Sequence, residues 1–344
     1  MKENLEAGRK FKNSAIRQGW LGSDKILAAL SGGGDSVAML WLLHNFYNGE
    51  IYAAHIDHTT RNGDSHKDAE FAENLCREWG IHFLKKVVDV EKACEKGESF
   101  EMAARRVRYT FFSEMAEKYN IPYIALGHSA DDLIETQIMN LFRGTGLTGL
   151  RGIPETRDNI VRPIIDFRRD ELRALLTVNG VEWKEDYTNQ ETLYKRNKVR
   201  QELFPWIKKN LNENFEEVLI GLAKQVDEEI TEKSVRAEKN LSLVGYELEP
   251  ALAVWNVKDM ELFTDGELKE MLRLQGKKLA LPVLSRRRTD ELLGLVRKGG
   301  KWRFQWACDI EVCYSLRGMG WLHRCDISSG LLKNNKDILP WWAR

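Results

Sequence analysis

The stretch LAALSGGGDSVAMLWLLHNF, Leu27 to Phe46, decides the fold. It closes an apolar run of strand character that starts at Lys25, then gives three glycines, then an apolar run of helix length. Glycines at a strand-to-helix turn let the backbone come close to a ligand, and free N–H groups at the helix start favour an anion. The loop is not a Walker A sequence, because no Gly-Lys-Ser/Thr follows. It is not the dinucleotide fingerprint either, because GxGxxG and its downstream acid are missing. Asp35 stands where a phosphate-binding loop normally carries a cation. A carboxylate beside a polyphosphate is reasonable when magnesium lies between them. The competing reading is a plain strand–helix connection with Asp35 as an acid in the first helical turn.

Outward from this turn the chain alternates. KILAAL, IYAAHIDH, HFLKKVVDV and IPYIALGH read as strands. HKDAEFAENLCREWG, SFEMAARRVRYTFFSEMAEKYN and ADDLIETQIMNLF read as helices. Such alternation predicts an α/β fold with right-handed βαβ units and a parallel, doubly wound sheet covered on both faces. Ligands bind such sheets beyond the carboxyl ends of the strands. The loops SGGGDS, DHTTR and GHSADD are therefore expected to converge. Beyond Pro205 the chain becomes mainly helical, and KWRFQW, IEVCYSL and GWLHR alternate like strands of a small β-hairpin element. The expected organisation is a catalytic domain over 1–215, a charged helical linker over 216–244 and a C-terminal domain over 245–344.

Composition narrows the function classes. The 344 residues are 43% hydrophobic and 30% charged, as in ordinary globular proteins. A formal net charge of +0 argues against a wholesale polyelectrolyte binder and leaves room for a local basic surface. No apolar stretch is long enough for a membrane span, and the opening MKENLEAGRKFKNS lacks a signal-peptide core. The five cysteines form no CxxC pair, which reads as reduced thiols in the cytoplasm.

Several stretches carry candidate chemistry. HIDHTTR, His55 to Arg61, ends the second strand, and its histidines are either a metal-like cluster or a capped turn. EMAARRVRYTFF puts Glu101, Arg105, Arg108 and Tyr109 on one helix, where Glu101 and Arg105 also have the spacing of a surface ion pair. GHSADDLIET clusters His128, Asp131, Asp132 and Glu135 at a helix start; single acids there are ordinary caps, the group together is a site candidate. RGTGLTGLRGI follows as a basic loop with Arg143 and Arg151. LYKRNKVRQELFPWIKKN, Leu193 to Asn210, interleaves cations with aromatics, which suits RNA as well as a solvated helix face.

The hexapeptide Ser31-Gly32-Gly33-Gly34-Asp35-Ser36 resembles the SGGxDS pyrophosphate loop of the N-type ATP pyrophosphatases, which have the adenine nucleotide alpha hydrolase-like fold. In order, SGGGDS, HIDHTTR, EMAARRVRY, GHSADDLIET, RGTGLTGLRGI, VRPIIDF and DYTNQETLYKRNKVRQELFP resemble the motif series of the tRNA(Ile)-lysidine synthetase family, over about Lys25 to Pro205. There are two departures. Asp57 stands where the family usually has asparagine, and His128-Ser129 replaces a histidine pair.

The resemblance implies a ligase that adenylates the C2 oxygen of the wobble cytidine in a tRNA(Ile) with a CAU anticodon. The ε-amine of free L-lysine then displaces AMP. It also implies ATP and Mg2+ as cofactors. Ser31, Gly32, Gly33, Gly34, Asp35 and Ser36 would bind ATP, and Asp35 and Asp132 would be the magnesium acids. His128 would assist the nucleotide or a proton transfer, and Arg105 and Arg108 would stabilise phosphate charge. Arg143, Arg151, Lys195, Arg196, Asn197 and Arg200 would face RNA, beside Asp186 and Asn189 of the same motif. The C-terminal domain would hold the tRNA body. No membrane partner is expected, and a homodimer stays open, as does the place of Trp341 and Trp342. Three other readings compete. They are a tRNA 2-thiolation enzyme of the same superfamily, a small-molecule adenylating enzyme such as NAD synthetase, and a nucleotide-regulated RNA-binding protein without chemistry. Cys76 and Cys94 are poorly placed for the first.

Overall fold

The structure is a computed structural model, and it describes residues 2–57, 64–184, 195–316 and 318–328. His58, Arg61, Asp186, Asn189, Trp341 and Trp342 lie outside the described residues. The chain divides into two compact units, Met1–Val226 and Asp227–Arg344. No helix among the described residues is long and apolar enough to cross a membrane.

The first unit starts with α1 (Lys2–Arg17), β1 (Lys25–Ala29), α2 (Gly34–Phe46), β2 (Glu50–Asp57), α3 (Asp64–Glu78) and β3 (His82–Val87). It continues with α4 (Val90–Ala93), α5 (Phe100–Lys118), β4 (Tyr123–Ala125), α6 (Ala130–Phe142) and α7 (Leu147–Leu150). A short pair, β5 (Thr156–Arg157) and β6 (Ile160–Val161), precedes α8 (Arg169–Val178) and α9 (Lys195–Lys198). A π-helical turn (Val199–Leu203), α10 (Phe204–Asn210) and α11 (Phe215–Val244) follow. The sheet order is β3-β2-β1-β4-β6-β5, parallel except for the β5–β6 pair.

Alternation along β1 explains how both faces are covered. Ile26 and Ala28 pack with α2, Phe11 and Trp20, while Leu27 points to the opposite core with Phe111 and Phe112 of α5. Helix α2 is buried along most of its length, from Ser36 to Leu43, which is why its sequence is apolar all round rather than striped. β1 is flanked by β2 on one side and β4 on the other, so the chain reverses its direction of winding between β1 and β4. That is the topological switch point, where a crevice opens beyond the strand ends.

The second unit has β7 (Gly245–Tyr246), β8 (Ala253–Trp255), α12 (Val257–Met260), α13 (Asp265–Lys278) and α14 (Arg286–Lys298). It ends with β9 (Trp302–Gln305), β10 (Ile310–Ser315), β11 (Gly318–His323) and α15 (Arg324–Ser328). The strands read from the sequence as a hairpin element are β9 to β11, and they belong to a five-stranded antiparallel sheet of order β7-β8-β11-β10-β9. Its core gathers Trp255, Trp306 and Trp321 with α13 and α14. The boundary between the two units, Val226/Asp227, falls inside helix α11. Its early residues Leu219 and Ala223 pack in a core of the first unit, and Ala237, Leu241 and Val244 pack in that of the second.

Candidate active site

The site is built on two strand-to-helix turns at the switch point. After β1, Ser31 to Ser36 closes on itself. Ser36 Oγ donates to the Gly33 carbonyl at 2.9 Å and lies 3.0 Å from Ser31 Oγ, while the Gly33 N–H donates to Ser31 Oγ at 3.3 Å. Gly32 has φ +90°, a left-handed value at which a side chain is strained. Helix α2 has Gly33 as its N-cap and no side-chain cap, so its first N–H groups point into the crevice for an anion. The turn is anchored by His55, whose Nδ1 is 2.9 Å from the Leu30 carbonyl, and by the Lys184 N–H, which donates to the Gly32 carbonyl at 2.9 Å.

The second turn follows β4 and comes against the first. A Cβ on Gly127 would sit 3.1 Å from Ser36 Cα, so only glycine fits there without displacing backbone. Ser129 then caps α6, and Asp132 Oδ2 accepts from the Ser129 N–H at 3.0 Å, completing a capping box. Helix α8 starts alongside. The Ala130 N–H donates to the Phe167 carbonyl, and the Arg169 N–H donates to Asp131 Oδ2 at 2.8 Å, so each helix start satisfies groups of the other.

This arrangement brings the acids onto Arg169. Its Nε donates to Asp35 at 3.1 Å, its Nη1 to Glu135 at 2.8 Å and its Nη2 to Asp132 at 2.5 Å. Arg196 Nε and Arg200 Nε each donate to Glu135 at 2.7 Å, and Arg196 Nη2 lies 3.3 Å from Asp132 Oδ1. Arg168 joins Asp131 at 2.9 Å and Glu216 at 2.7 Å. The π-helical turn begins just after α9 and carries Arg200, so the backbone register changes where both arginines meet one carboxylate.

Electrostatics separates the two expected magnesium acids. Burial drives the Asp35 carboxyl up, Arg169 opposes this and Asp132 adds to it, and the balance is a raised pKa. Burial acts the same way on Asp132, but Arg169, Arg196 and the Ser129 N–H outweigh it and hold the carboxyl below its ordinary range. Glu135 is also held low, since burial loses to Arg200, Arg169 and Arg196.

His128 faces this cluster as a neutral ring. Burial pulls its pKa down to about 4, against the attraction of Asp132. Arg162 Nε donates to His128 Nδ1 at 3.3 Å. An arginine cannot accept, so Nδ1 is the acceptor and Nε2 carries the proton. Near neutral pH His128 is therefore a donor at Nε2, not a base. Arg105 stacks on Tyr109 at 4.8 Å from the ring centroid and donates to its hydroxyl at 3.1 Å; its charge reaches both His128 and Arg162. Arg108 lies on the same helix and is exposed; the surrounding protein lowers its pKa by partial desolvation.

The remaining expected residues fall as follows. Arg143 is the exposed C-cap of α6, and half-buried Arg151 follows α7. Lys195 opens α9, Asn197 is buried within it, and Arg196 and Arg200 are engaged with the acids. Sequence reasoning missed Arg162, Arg168 and Arg169, and it left Glu135 without a role. One signal was available for Arg168 and Arg169: cations at a helix N-terminus are opposed by the helix dipole, so a pair there implies acids supplied from elsewhere.

A family model for the PP-loop domain, ATP_bind_3, matches residues 4–207. The chain belongs to the PP-loop family. The match covers both turns of the site, and ATP binding comes with this domain. Among curated relatives, a tRNA(Ile)-lysidine synthase of Clostridioides difficile (strain 630) is 40% identical over 234 residues, covering 66% of this chain and 50% of that protein. One of Porphyromonas gingivalis (strain ATCC BAA-308 / W83) is 41% identical over 208 residues, covering 60% of this chain and 45% of that protein. This PP-loop chain thus spans about half the length of the curated relatives it matches. Among solved structures, the U34-tRNA thiolase NcsA from Methanococcus maripaludis with its [4Fe-4S] cluster has a TM-score of 0.52 at 20% identity, covering 65% of this chain and 78% of that one. At that identity the likeness is one of fold.

Proposed function

We propose that this chain carries tRNA(Ile)-lysidine synthetase activity. The observation that carries the reading is the meeting of Ser31–Ser36 with His128–Asp132 at the switch point of a PP-loop fold. The curated relatives' name, tRNA(Ile)-lysidine synthase, supports a tRNA(Ile) substrate, and the CAU anticodon and free L-lysine belong to the proposed reading.

In the first step the wobble cytidine C2 oxygen attacks the α-phosphorus of ATP, and the bond to the β-phosphate oxygen breaks to release pyrophosphate. In the second, the lysine ε-amine forms a bond to C2, the C2–O bond breaks, AMP leaves, and the nitrogen gives up its proton. AMP makes a good leaving group of an otherwise poor one. Alignment of reactants supplies roughly 7–11 kcal/mol of such a barrier in well-placed cases.

The side chains divide this work. Backbone N–H groups of Ser31–Ser36 and the α2 start grip the pyrophosphate portion. His128 donates from Nε2 to a phosphate oxygen, and Arg105 and Arg108 neutralise phosphate charge from α5. Two carboxylates that reach one guanidinium from different helices are a hard-oxygen pair, so Asp35 and Asp132 fit a magnesium ion. When bound, magnesium neutralises charge building on the pyrophosphate. Arg143 and Arg151 flank the RNA approach, while Arg196 and Arg200 act on it through Glu135 and Asp132. The thiolation reading is disfavoured at Cys76, a buried thiol pushed up to about 12 by that burial and thus unreactive.

The test is incubation with ATP, magnesium, labelled lysine and a tRNA(Ile) transcript. Label enters the tRNA, and Asp35→Ala abolishes it. Sulfur incorporation in place of lysine, or unchanged labelling by the variant, defeats the reading.

A further inference from the structure

Arg169 stands where the two proposed magnesium acids converge. One guanidinium spends a separate nitrogen on each of Asp35, Asp132 and Glu135. These acids come from the start of α2 and from α6, and Arg169 itself opens α8. Its side chain is only 15% exposed.

The oxygens available to a metal are few. Asp132 Oδ2 is committed to the Ser129 backbone N–H and hydroxyl. Its Oδ1 receives Arg169 and, at 3.3 Å, Arg196. Asp35 meets Arg169 through Oδ2. Of the Asp132 oxygens, only Oδ1 is not tied to Ser129, and Arg169 holds it. Glu135 differs. Both of its oxygens are bonded, Oε1 by Arg169 and Arg200, and Oε2 by Arg196 and Arg200. It can keep Arg169 by one nitrogen while the other two let go.

We propose that Arg169 is an internal competitor of the divalent cation and a positioning residue for the adenylation site. It neutralises and aligns Asp35 and Asp132, and it yields them only to a metal that arrives with a polyphosphate. Glu135 retains the displaced guanidinium within reach of that phosphate. Two physical points favour this. Bare carboxylates this close repel one another, and a fixed guanidinium removes that repulsion without a metal. A divalent ion alone must displace a buried ion pair, whereas an ion carrying ATP also gains the contacts of the glycine turn and the α2 N–H groups. The inference rests on the assignment of Asp35 and Asp132 as metal acids, and it does not require lysine or tRNA.

The experiment measures Mn2+ binding by electron paramagnetic resonance, without catalysis. Wild-type protein is titrated with Mn2+ alone and with Mn2+ plus α,β-methylene-ATP. Arg169→Gln, Arg169→Lys and Arg169→Gln/Asp35→Asn are titrated with Mn2+ alone, and folding is checked by circular dichroism. Wild-type protein is expected to bind Mn2+ weakly alone and tightly with the nucleotide analogue. Arg169→Gln is expected to bind Mn2+ alone about 10–100-fold more tightly than wild type, the scale of changes around metal ligands. Arg169→Lys should return toward wild type, and the double variant should lose the gain. Equal affinity of wild type and Arg169→Gln overturns the proposal, as does a gain that survives Asp35→Asn. Should Arg169→Gln fail to fold, wild-type protein binding Mn2+ equally well with and without the analogue overturns it. Failure of lysine labelling with this Mn2+ pattern intact would instead count against the proposed tRNA activity.

Discussion

Replacing Glu135 by glutamine tests the centre of the site without changing its volume. The carboxylate is 1% exposed and accepts Arg169 and Arg200 on one oxygen and Arg196 and Arg200 on the other, at 2.7–3.1 Å. Glutamine keeps one acceptor and turns the other into a donor facing guanidinium groups, which accept nothing. Breaking a buried pair from one side costs about 3–5 kcal/mol. Arg196 and Arg200 are 44% and 29% exposed, so solvent recovers part of their share and the lower end, about 3 kcal/mol, applies. For a unit of this size that corresponds to a melting point lower by about 6–12 °C. Differential scanning calorimetry at neutral pH measures it, with exposed Glu217→Gln as a control expected within about 0.5 kcal/mol of wild type. The pH dependence has a fixed sign. The folded pKa of Glu135 is lowered, so its contribution is present above the ordinary value of 4.5 and fades as pH falls through the folded value. The two melting curves should therefore converge in acid. A Glu135→Gln protein that melts with wild type at neutral pH refutes the reasoning.

Other outcomes follow from the same geometry. Nitrogen-15 spectra near neutral pH should show His128 neutral with its proton on Nε2, and Arg162→Met should release a mixture of tautomers; an imidazolium signal there would contradict the assignment. Gly127→Ala should push the second turn off Ser36, cost about 1–3 kcal/mol and weaken binding of an ATP analogue by calorimetric titration, whereas unchanged affinity and melting would show that the close approach is unimportant. Asp35→Asn should abolish lysine transfer without lowering the melting point at neutral pH. The folded pKa of Asp35 is raised, so its ionised form is a net cost that grows as pH rises past the ordinary value of 3.8, and a large destabilisation by asparagine would reverse that sign.

Much of this protein was written locally. The apolar run of β1, the glycine turn and the all-round apolar α2 announce a strand, a phosphate-type turn and a buried helix from neighbouring residues alone. The caps at Ser99 and Ser129 mark the starts of α5 and α6, where each serine meets the turn that follows it. Alternation of such elements sets parallel pairing, and parallel pairing sets the crevice. Two-residue strands such as β5, β6 and β7 carry too little pattern to be read, so the added strands of both sheets came only with the structure.

The partners of the acids are of another kind. Arg169 is 134 residues from Asp35, 37 from Asp132 and 34 from Glu135. The sequence supplied the charges, and even an anomaly in two arginines at the start of α8, but periodicity and capping act over a few residues and cannot say which acid an arginine will find. Only the sheet decides that, by placing β1 beside β4 and so bringing the starts of α2, α6 and α8 to one point. Burial there then raises Asp35 and lowers His128, while Arg169 and Arg196 overcome it at Asp132, because desolvation and the arrangement of neighbouring charges depend on distances that exist only in the folded chain.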